Sequence, residues 1–192
     1  MIKILTTTMA VLLLGAWSSD ATAQAVYWDR ASLLKDFFST SQRVTFKKLA
    51  LDATQRAAVE NRLGKRPPAE VTVYYGMTGT TVDGFAIIDN ELGQHEPITF
   101  GVLIGTDGAM KRLEIMVYRE SHGDEVREGR FRRQFVGRKA SDPVRHGADI
   151  VAVTGATISS KSMANGARRA LVLVDELLIK PGLKTLASTS AP

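Results

Sequence analysis

A run of small and hydroxyl-bearing residues near the C-terminal end of the sequence has the composition of an anion-binding turn. It reads Val153-Thr154-Gly155-Ala156-Thr157-Ile158-Ser159-Ser160 and follows a short apolar stretch. A predicted helix begins here, so unpaired backbone N–H groups and the positive end of the helix dipole would meet at this point. Gly155 and Ala156 would let a ligand approach the backbone closely. The pattern predicts a phosphate site, with a capped helix that binds nothing as the plain alternative.

The same run comes close to the nucleotide-binding loop GxxxxGK[ST]. Gly155, Lys161 and Ser162 fit that loop, but Ser160 occupies the position of its second glycine. A nucleoside triphosphatase is therefore disfavoured.

Other catalytic patterns have little support. The three histidines, His95, His122 and His146, show no i, i+4 pairing, and neither HExxH nor GxSxG occurs. The chain has no cysteine, which excludes disulfides and thiolate zinc sites. These observations disfavour a metalloenzyme and a serine hydrolase.

The elements before this turn alternate in the manner of an antiparallel sheet. Apolar runs over residues 71–75, 84–88, 98–104 and 112–118 are separated by Gly, Asp and Asn. Asp107-Gly108 is the clearest hairpin signal among them. Further strands are predicted over residues 44–51 and over residues 149–153, immediately before the small-residue turn.

Helices complete the predicted α+β fold, in which an antiparallel sheet packs with helices. Asp29 is a predicted cap for a short helix with Leu33, Leu34, Phe37 and Phe38 on its apolar face, and Asp52 with Gln55 predicts a capping box for a helix that ends at Gly64. A short helix is expected in the charged segment that Phe131, Phe135 and Val136 would anchor. A long C-terminal helix follows the small-residue turn, capped by Ser159 or Ser160 and ending near Ile179. Its core-facing stripe is Met163, Ala167, Leu171, Val174 and Leu178.

The residues from Val153 to Ser160 resemble the flavinylation motif of the FMN-binding domain family. That family includes one component of the Rnf electron-transfer complex and one component of the sodium-pumping NADH:quinone oxidoreductase. The resemblance covers roughly residues 78–178 and implies that Thr157 carries FMN through a phosphoester bond. It also implies a partner, a magnesium-dependent flavin transferase of the ApbE type that uses FAD. Members usually have Asp six residues before the modified Thr, where this chain has Val151 and places Asp149 two residues further back.

A second block extends the resemblance. Arg119-Glu120-Ser121-His122-Gly123 lies where family members carry a Glu-Thr-Pro-Gly-like turn, and Phe131 to Arg138 resembles the segment that precedes the flavin motif. The resemblance implies that Glu120, Ser121 and Gly123 lie near the isoalloxazine ring. The hydroxyls of Thr154, Ser159 and Ser160 would then hydrogen-bond the phosphate, within a cofactor-binding segment that also contains Gly155, Ala156 and Ile158.

The resemblance implies an electron carrier rather than an independent catalyst. It would relay electrons between a membrane-associated redox protein and an acceptor. A noncovalent flavin-binding or sensor protein and an interaction module without cofactor are the alternatives. A reductase with its own small substrate has no support from a GxGxxG motif, which is absent.

The ends of the chain predict an exported protein with one main domain. Lys3, the apolar run to Trp17 and Ala21-Thr22-Ala23 have the form of a signal peptide over residues 1–23, with an uncleaved anchor as the alternative. The periplasm or the outer face of the cytoplasmic membrane is the expected location. Residues 24–70 form a predicted accessory segment, residues 71–182 the FMN-binding domain and residues 183–192 a flexible tail.

The charge of the chain is concentrated in one segment. The net charge is +5, and 44% of the residues are hydrophobic, as in ordinary globular proteins. Between residues 127 and 145 there are seven Arg or Lys residues against one Glu and one Asp, so this basic strip accounts for the whole excess. A local strip favours an anionic cofactor, a lipid headgroup or an acidic redox partner over nucleic acid.

Overall fold

The structure, a computed structural model, describes residues 24–182. The predicted signal peptide and flexible tail therefore lie outside the described residues. The strands are β1 (Ala25–Val26), β2 (Arg43–Ala50), β3 (Glu70–Thr78), β4 (Thr81–Leu92), β5 (Pro97–Gly105) and β6 (Met110–Tyr118). The α-helices are α1 (Arg30–Phe37), α2 (Ala53–Leu63), α3 (Gly129–Arg132) and α4 (Thr157–Val174).

Within residues 24–182, the six strands form an antiparallel sheet in the order β1-β6-β5-β4-β3-β2. Strands β3 to β6 are the four predicted strands, each somewhat longer than its apolar run. Gly108 has a φ of 75° and Asp107 accepts a hydrogen bond from the backbone N–H of Ala109 at 3.1 Å, which makes the tight β5–β6 turn. The α+β class predicted from the sequence is confirmed.

The segment before β3 contributes both edges of this sheet. Strand β1 pairs with β6, and β2 pairs with β3 over its full length. Asp29 caps α1, and Asp52 with Gln55 forms the predicted capping box of α2, which ends at Gly64 in the left-handed conformation. Helix α1 covers one face of the sheet through Leu33, Phe37 and Phe38.

Helix α4 packs on the opposite face and forms the main core with the sheet. All five residues of its predicted stripe are at most 2% exposed. One π-helical turn (Asp175–Ile179) continues the helix to the predicted end. Helix α2 is fastened to this end because Arg62 forms ion pairs with Asp175 and Glu176 at 2.6 and 2.7 Å.

Two local predictions are wrong. Residues 149–153 are not a strand, since their one ladder contact is an isolated bridge between Ile150 and His146. The backbone of Val151 instead pairs with the side chain of Gln134, and the Val151 side chain is 70% exposed. Val136 is 51% exposed and anchors nothing, whereas Phe131 and Phe135 are fully buried in edge-to-face contact at 5.3 Å. A short apolar run does not by itself reveal which of its side chains are buried.

None of the helices in residues 24–182 is long and apolar enough to span a membrane.

Candidate functional site

The start of α4 presents uncapped backbone donors. The helix begins at Thr157 after Ala156, and no side chain caps it. The prediction that Ser159 or Ser160 is the cap is wrong, because both lie inside the first turn. The first backbone bond runs from the N–H of Ser160 to the carbonyl of Ala156 at 2.8 Å. The N–H groups of Thr157, Ile158 and Ser159 have no acceptor among the described residues, so they are available to an anion.

The turn before the helix requires glycine. Gly155 has a φ of 86°, which L-residues with a side chain rarely adopt. A Cβ atom at this position would lie 3.3 Å from Oε1 of Glu125, so the Glu125 carboxylate packs behind the turn. The tight turn is closed by a hydrogen bond of 3.0 Å from the N–H of Ala156 to the carbonyl of Val153. Thr157 is exposed at its outer end.

A cleft of about 220 Å³ lies between this turn and the segment that follows β6. Seven of the predicted cofactor-binding residues line it, which are Glu120, Gly123, Gly155, Ala156, Thr157, Ile158 and Ser159. The structure therefore brings the two sequence blocks, more than 30 residues apart, to opposite walls of one cleft. Among these lining residues, Thr157 is exposed and lies at the start of α4, where it presents a hydroxyl.

Tyr118, at the end of β6, joins the two walls. Its buried hydroxyl donates to the carbonyl of His122 at 2.5 Å and lies 2.7 Å from Oγ of Ser159. A tyrosine hydroxyl has one hydrogen, and a carbonyl can only accept, so Ser159 must donate to Tyr118. The hydroxyl of Ser159 then has no hydrogen left for a phosphate. Ser159 lines the cleft, but the phosphate contact predicted for it would have to come from its backbone N–H.

Gly123 lets these walls approach each other. Its φ is 94°, and a Cβ atom there would lie 2.7 Å from both Oγ of Ser159 and the hydroxyl oxygen of Tyr118. Any side chain would push the turn away from the start of α4. The glycine predicted near the flavin ring thus has a steric role in closing the cleft.

Glu120 fixes the rim of the cleft. Its Oε1 accepts hydrogen bonds from the backbone N–H groups of His95 and Glu96 at 2.6 and 2.9 Å. Desolvation by burial acts to raise the pKa of Glu120, but these backbone hydrogen bonds outweigh it and lower that pKa. Glu120 is therefore ionised at neutral pH and holds the β4–β5 loop beside the turn that follows β6.

Three predicted residues lie outside this cleft. Ser160 is fully buried, and its Oγ accepts from the N–H of Val153 at 3.2 Å. Ser121 is exposed and lines neither cleft beside the turn. Thr154 lines a second cleft of about 220 Å³, together with Arg130, Gln134 and Val151. The predicted role of the Ser160 hydroxyl as a phosphate donor is not supported, because burial separates it from a ligand in the cleft.

Two cleft residues were missed. His122 lies inside the turn that the family resemblance indicated. It occupies the proline position of the family's Glu-Thr-Pro-Gly-like turn, so the resemblance gave it no binding role. Gln94 comes from the β4–β5 loop and carries no local signal, because its place depends on strand pairing and on Glu120. Asp149, which is displaced from the usual family position, accepts from the N–H groups of Val144 and Arg145 and lies 3.4 Å from Arg138. Its carboxylate holds its own loop together.

The family comparison agrees with this geometry. Residues 93–172 match the family model of the FMN-binding domain, a range that contains both walls of the cleft. Among solved structures, the chain is similar to the crystal structure of Shewanella oneidensis NqrC, with 15% sequence identity and a TM-score of 0.47 over 80% of this chain and 86% of that chain. No curated protein matches the chain.

Proposed function

We propose that this chain, whose residues 93–172 match the FMN-binding domain, is an exported electron carrier that holds FMN by a phosphoester bond to Thr157. The observation that carries the proposal is the combination at the start of α4. An exposed threonine hydroxyl lies beside three backbone N–H groups that have no acceptor within the described part of the chain.

These residues fit a phosphoester. A phosphate joined to Thr157 keeps a negative charge, and the N–H groups of Thr157, Ile158 and Ser159 with the helix dipole would stabilise it. No side chain caps the helix start, so a phosphate displaces no hydrogen bond when it binds there.

The small size of the cleft favours a covalent link. Pockets that enclose an organic ligand usually measure about 300 Å³ or more, whereas this cleft measures about 220 Å³. A cleft of this size would cover only part of a flavin and leave the rest accessible. Because a cofactor lost outside the cytoplasm is diluted, a covalent bond would prevent the loss that partial burial permits.

Attachment would use FAD and a magnesium-dependent flavin transferase. The Thr157 oxygen forms a new bond to the FMN phosphorus, the pyrophosphate bond of FAD breaks, AMP leaves and the hydroxyl proton is released. The exposure of Thr157 supports this, since an enzyme must reach that hydroxyl in the folded chain.

The remaining cleft residues would position the ring. Glu120 holds the loop that presents Gln94, and Tyr118 fixes His122 against the start of α4. The bound FMN supplies the redox chemistry, and the protein sets its orientation and environment. The accessible part of the ring would exchange electrons with a membrane-associated redox protein at the periplasmic side.

Two substitutions test the attachment. The chain is produced with a flavin transferase, denatured and separated by gel electrophoresis, and flavin fluorescence is measured on the polypeptide band. Thr157→Ala is expected to lose the fluorescence completely, whereas Thr157→Ser, which keeps a hydroxyl, is expected to retain part of it.

Other outcomes would identify a different function. Flavin that is bound by the folded wild type and by Thr157→Ala, but released on denaturation, would mean a noncovalent flavin protein. A colourless wild type, in cells whose transferase modifies a known substrate, would favour an interaction module without cofactor.

A further inference from the structure

Exposed apolar side chains lie at the start of α4, on the segment before it and on the segment that pairs with Val151. Among the described residues, Val151 is 70% exposed, Leu92 62%, Val136 51% and Ile158 47%. Two hydrogen bonds of 2.8 and 3.1 Å between the Val151 backbone and the Gln134 side chain place Val151 beside the segment that contains Val136. Single exposed apolar residues are common, but several on neighbouring segments indicate a surface that another molecule covers.

The basic strip borders the same surface, and six of its seven cations differ in how far they are already engaged. Three are engaged, because Arg132 pairs with Glu114, Arg138 pairs with Asp149 and Arg127 lies 4.2 Å from the centre of the Tyr27 ring. In contrast, Arg133 and Arg145 are exposed and form no salt bridge within residues 24–182. Arg130 pairs with Glu128, yet its side chain is 67% exposed and lines the cleft beside Thr154.

The loop that contains Val151 connects these cations to the apolar residues. Arg145 begins the loop, where its N–H donates to Asp149 at 2.6 Å, and Val151 follows the loop directly. Arg133 is adjacent to Gln134, the residue that binds the Val151 backbone. We define the docking face as Val136, Val151, Arg130, Arg133 and Arg145.

We propose that the docking face binds an acidic redox protein and brings it to the flavin that Thr157 carries. An apolar centre beside unpaired cations fits a transient protein complex, in which charge guides the encounter and apolar contact holds it. The partner is acidic because Arg133 and Arg145 have no carboxylate partner within the described residues. This inference rests on the proposed function, since the face has a redox role only if the cofactor is bound.

Each productive encounter would move one electron from the reduced partner to the oxidised flavin. Two encounters complete a two-electron reduction, with protons taken from solvent. The docking face supplies no electron and no proton. Its contribution is the orientation and the local concentration of the partner.

A charge-reversal pair tests the proposal with a matched control. Flavin-loaded Arg133→Glu/Arg145→Glu is compared with Lys35→Glu/Arg43→Glu, which has the same change in net charge. Lys35 and Arg43 are also exposed and form no salt bridge among the described residues, but they line a groove between α1 and β2. Reduced flavodoxin serves as an acidic protein donor, and dithionite as a small donor that needs no docking.

In the Arg133→Glu/Arg145→Glu variant, here called the docking pair, reduction of the flavin by flavodoxin is expected to be about tenfold slower or more at low ionic strength. In the Lys35→Glu/Arg43→Glu variant, the control pair, this reduction is expected to be less than about threefold slower. Added salt should slow the wild type towards the docking pair because it screens the attraction. Equal slowing by both pairs, or no slowing by the docking pair, would overturn the proposal.

A second pair tests the apolar part of the face. Val151→Ser is expected to weaken flavodoxin binding at high salt, whereas Val44→Ser, in the distant groove, is expected to leave it unchanged. Equal binding by the two variants would contradict an apolar contact at Val151.

Two readouts separate this proposal from the proposed function. Flavin content and the dithionite rate at high salt report the cofactor, and both should be the same in all variants because salt screens the charge of the anionic donor. Flavodoxin binding to the flavin-free chain is measured in parallel by titration calorimetry. If the docking pair loses flavodoxin binding, the proposed role of the docking face is supported even if no flavin is attached. If its binding is unchanged, that role is contradicted even if flavin is present.

Discussion

At the scale of single residues, one buried hydroxyl holds the candidate site together. Tyr118 is 2% exposed and contacts both the carbonyl of His122 and the hydroxyl of Ser159. Burial raises the pKa of Tyr118, and the hydrogen bond with Ser159 opposes this only in part. The hydroxyl therefore stays protonated at neutral pH and remains a donor to His122.

This role predicts opposite outcomes for two tyrosines. Tyr118→Phe leaves the part-buried carbonyl of His122 and the buried hydroxyl of Ser159 without their partner, so the free energy of unfolding is expected to fall by about 1–3 kcal/mol. Tyr75→Phe is the control, because the buried Tyr75 hydroxyl has no hydrogen-bond partner among the described residues and burial raises its pKa to about 12. Its removal is expected to leave stability equal or higher in urea unfolding. Equal destabilisation by both changes would contradict the role given to Tyr118.

At the scale of elements, the position of α4 sets the position of the proposed phosphate site. Arg169 binds Asp89 and Glu91 of β4, and Oγ of Ser162 donates to the carbonyl of Leu92 at 2.6 Å. Gly166 brings the helix against Phe100 of β5, since a Cβ atom there would lie 2.5 Å from the ring. The helix start is thus held at a fixed place relative to the sheet.

A side chain at Gly166 is expected to displace the helix. Phe100 is fully buried and would lie 2.5 Å from the new Cβ atom, so Gly166→Val should lower the free energy of unfolding by about 2–3 kcal/mol. Asn165→Val changes the neighbouring, exposed position and should alter stability by no more than about 0.5 kcal/mol. Urea unfolding measures both. A Gly166→Val variant as stable as the control would show that the packing tolerates a wider separation.

The elements that could be predicted carry local chemical signals. The Asp29 cap, the Asp52 capping box and the Asp107-Gly108 hairpin each depend on residues that are close in sequence. The cap of α4 could not be predicted in this way, because Ser159 and Ser160 bond to Tyr118 and Val153 instead. Residues 149–153 were wrongly predicted as a strand. Their apolar run is a local signal, but it does not show whether another strand lies beside it to pair with.

At the scale of the whole molecule, the candidate site is assembled from distant segments. The turn at Gly155 was evident from composition, and the family resemblance added the turn at Glu120. Gln94 was not predictable, because it reaches the cleft through the pairing of β4 with β5 and the hydrogen bonds of Glu120. The basic strip was also visible in the sequence, but the division into paired and unpaired cations required the folded chain.

Covalent attachment of FMN to the exported chain is tested by the intact mass of the chain purified after production with a flavin transferase in an exporting host. We expect a polypeptide that lacks residues 1–23 and has gained the mass of FMN less one water, with the gain on the peptide that contains Thr157. The mass of the bare polypeptide, from cells in which the transferase modifies a known substrate, would contradict it.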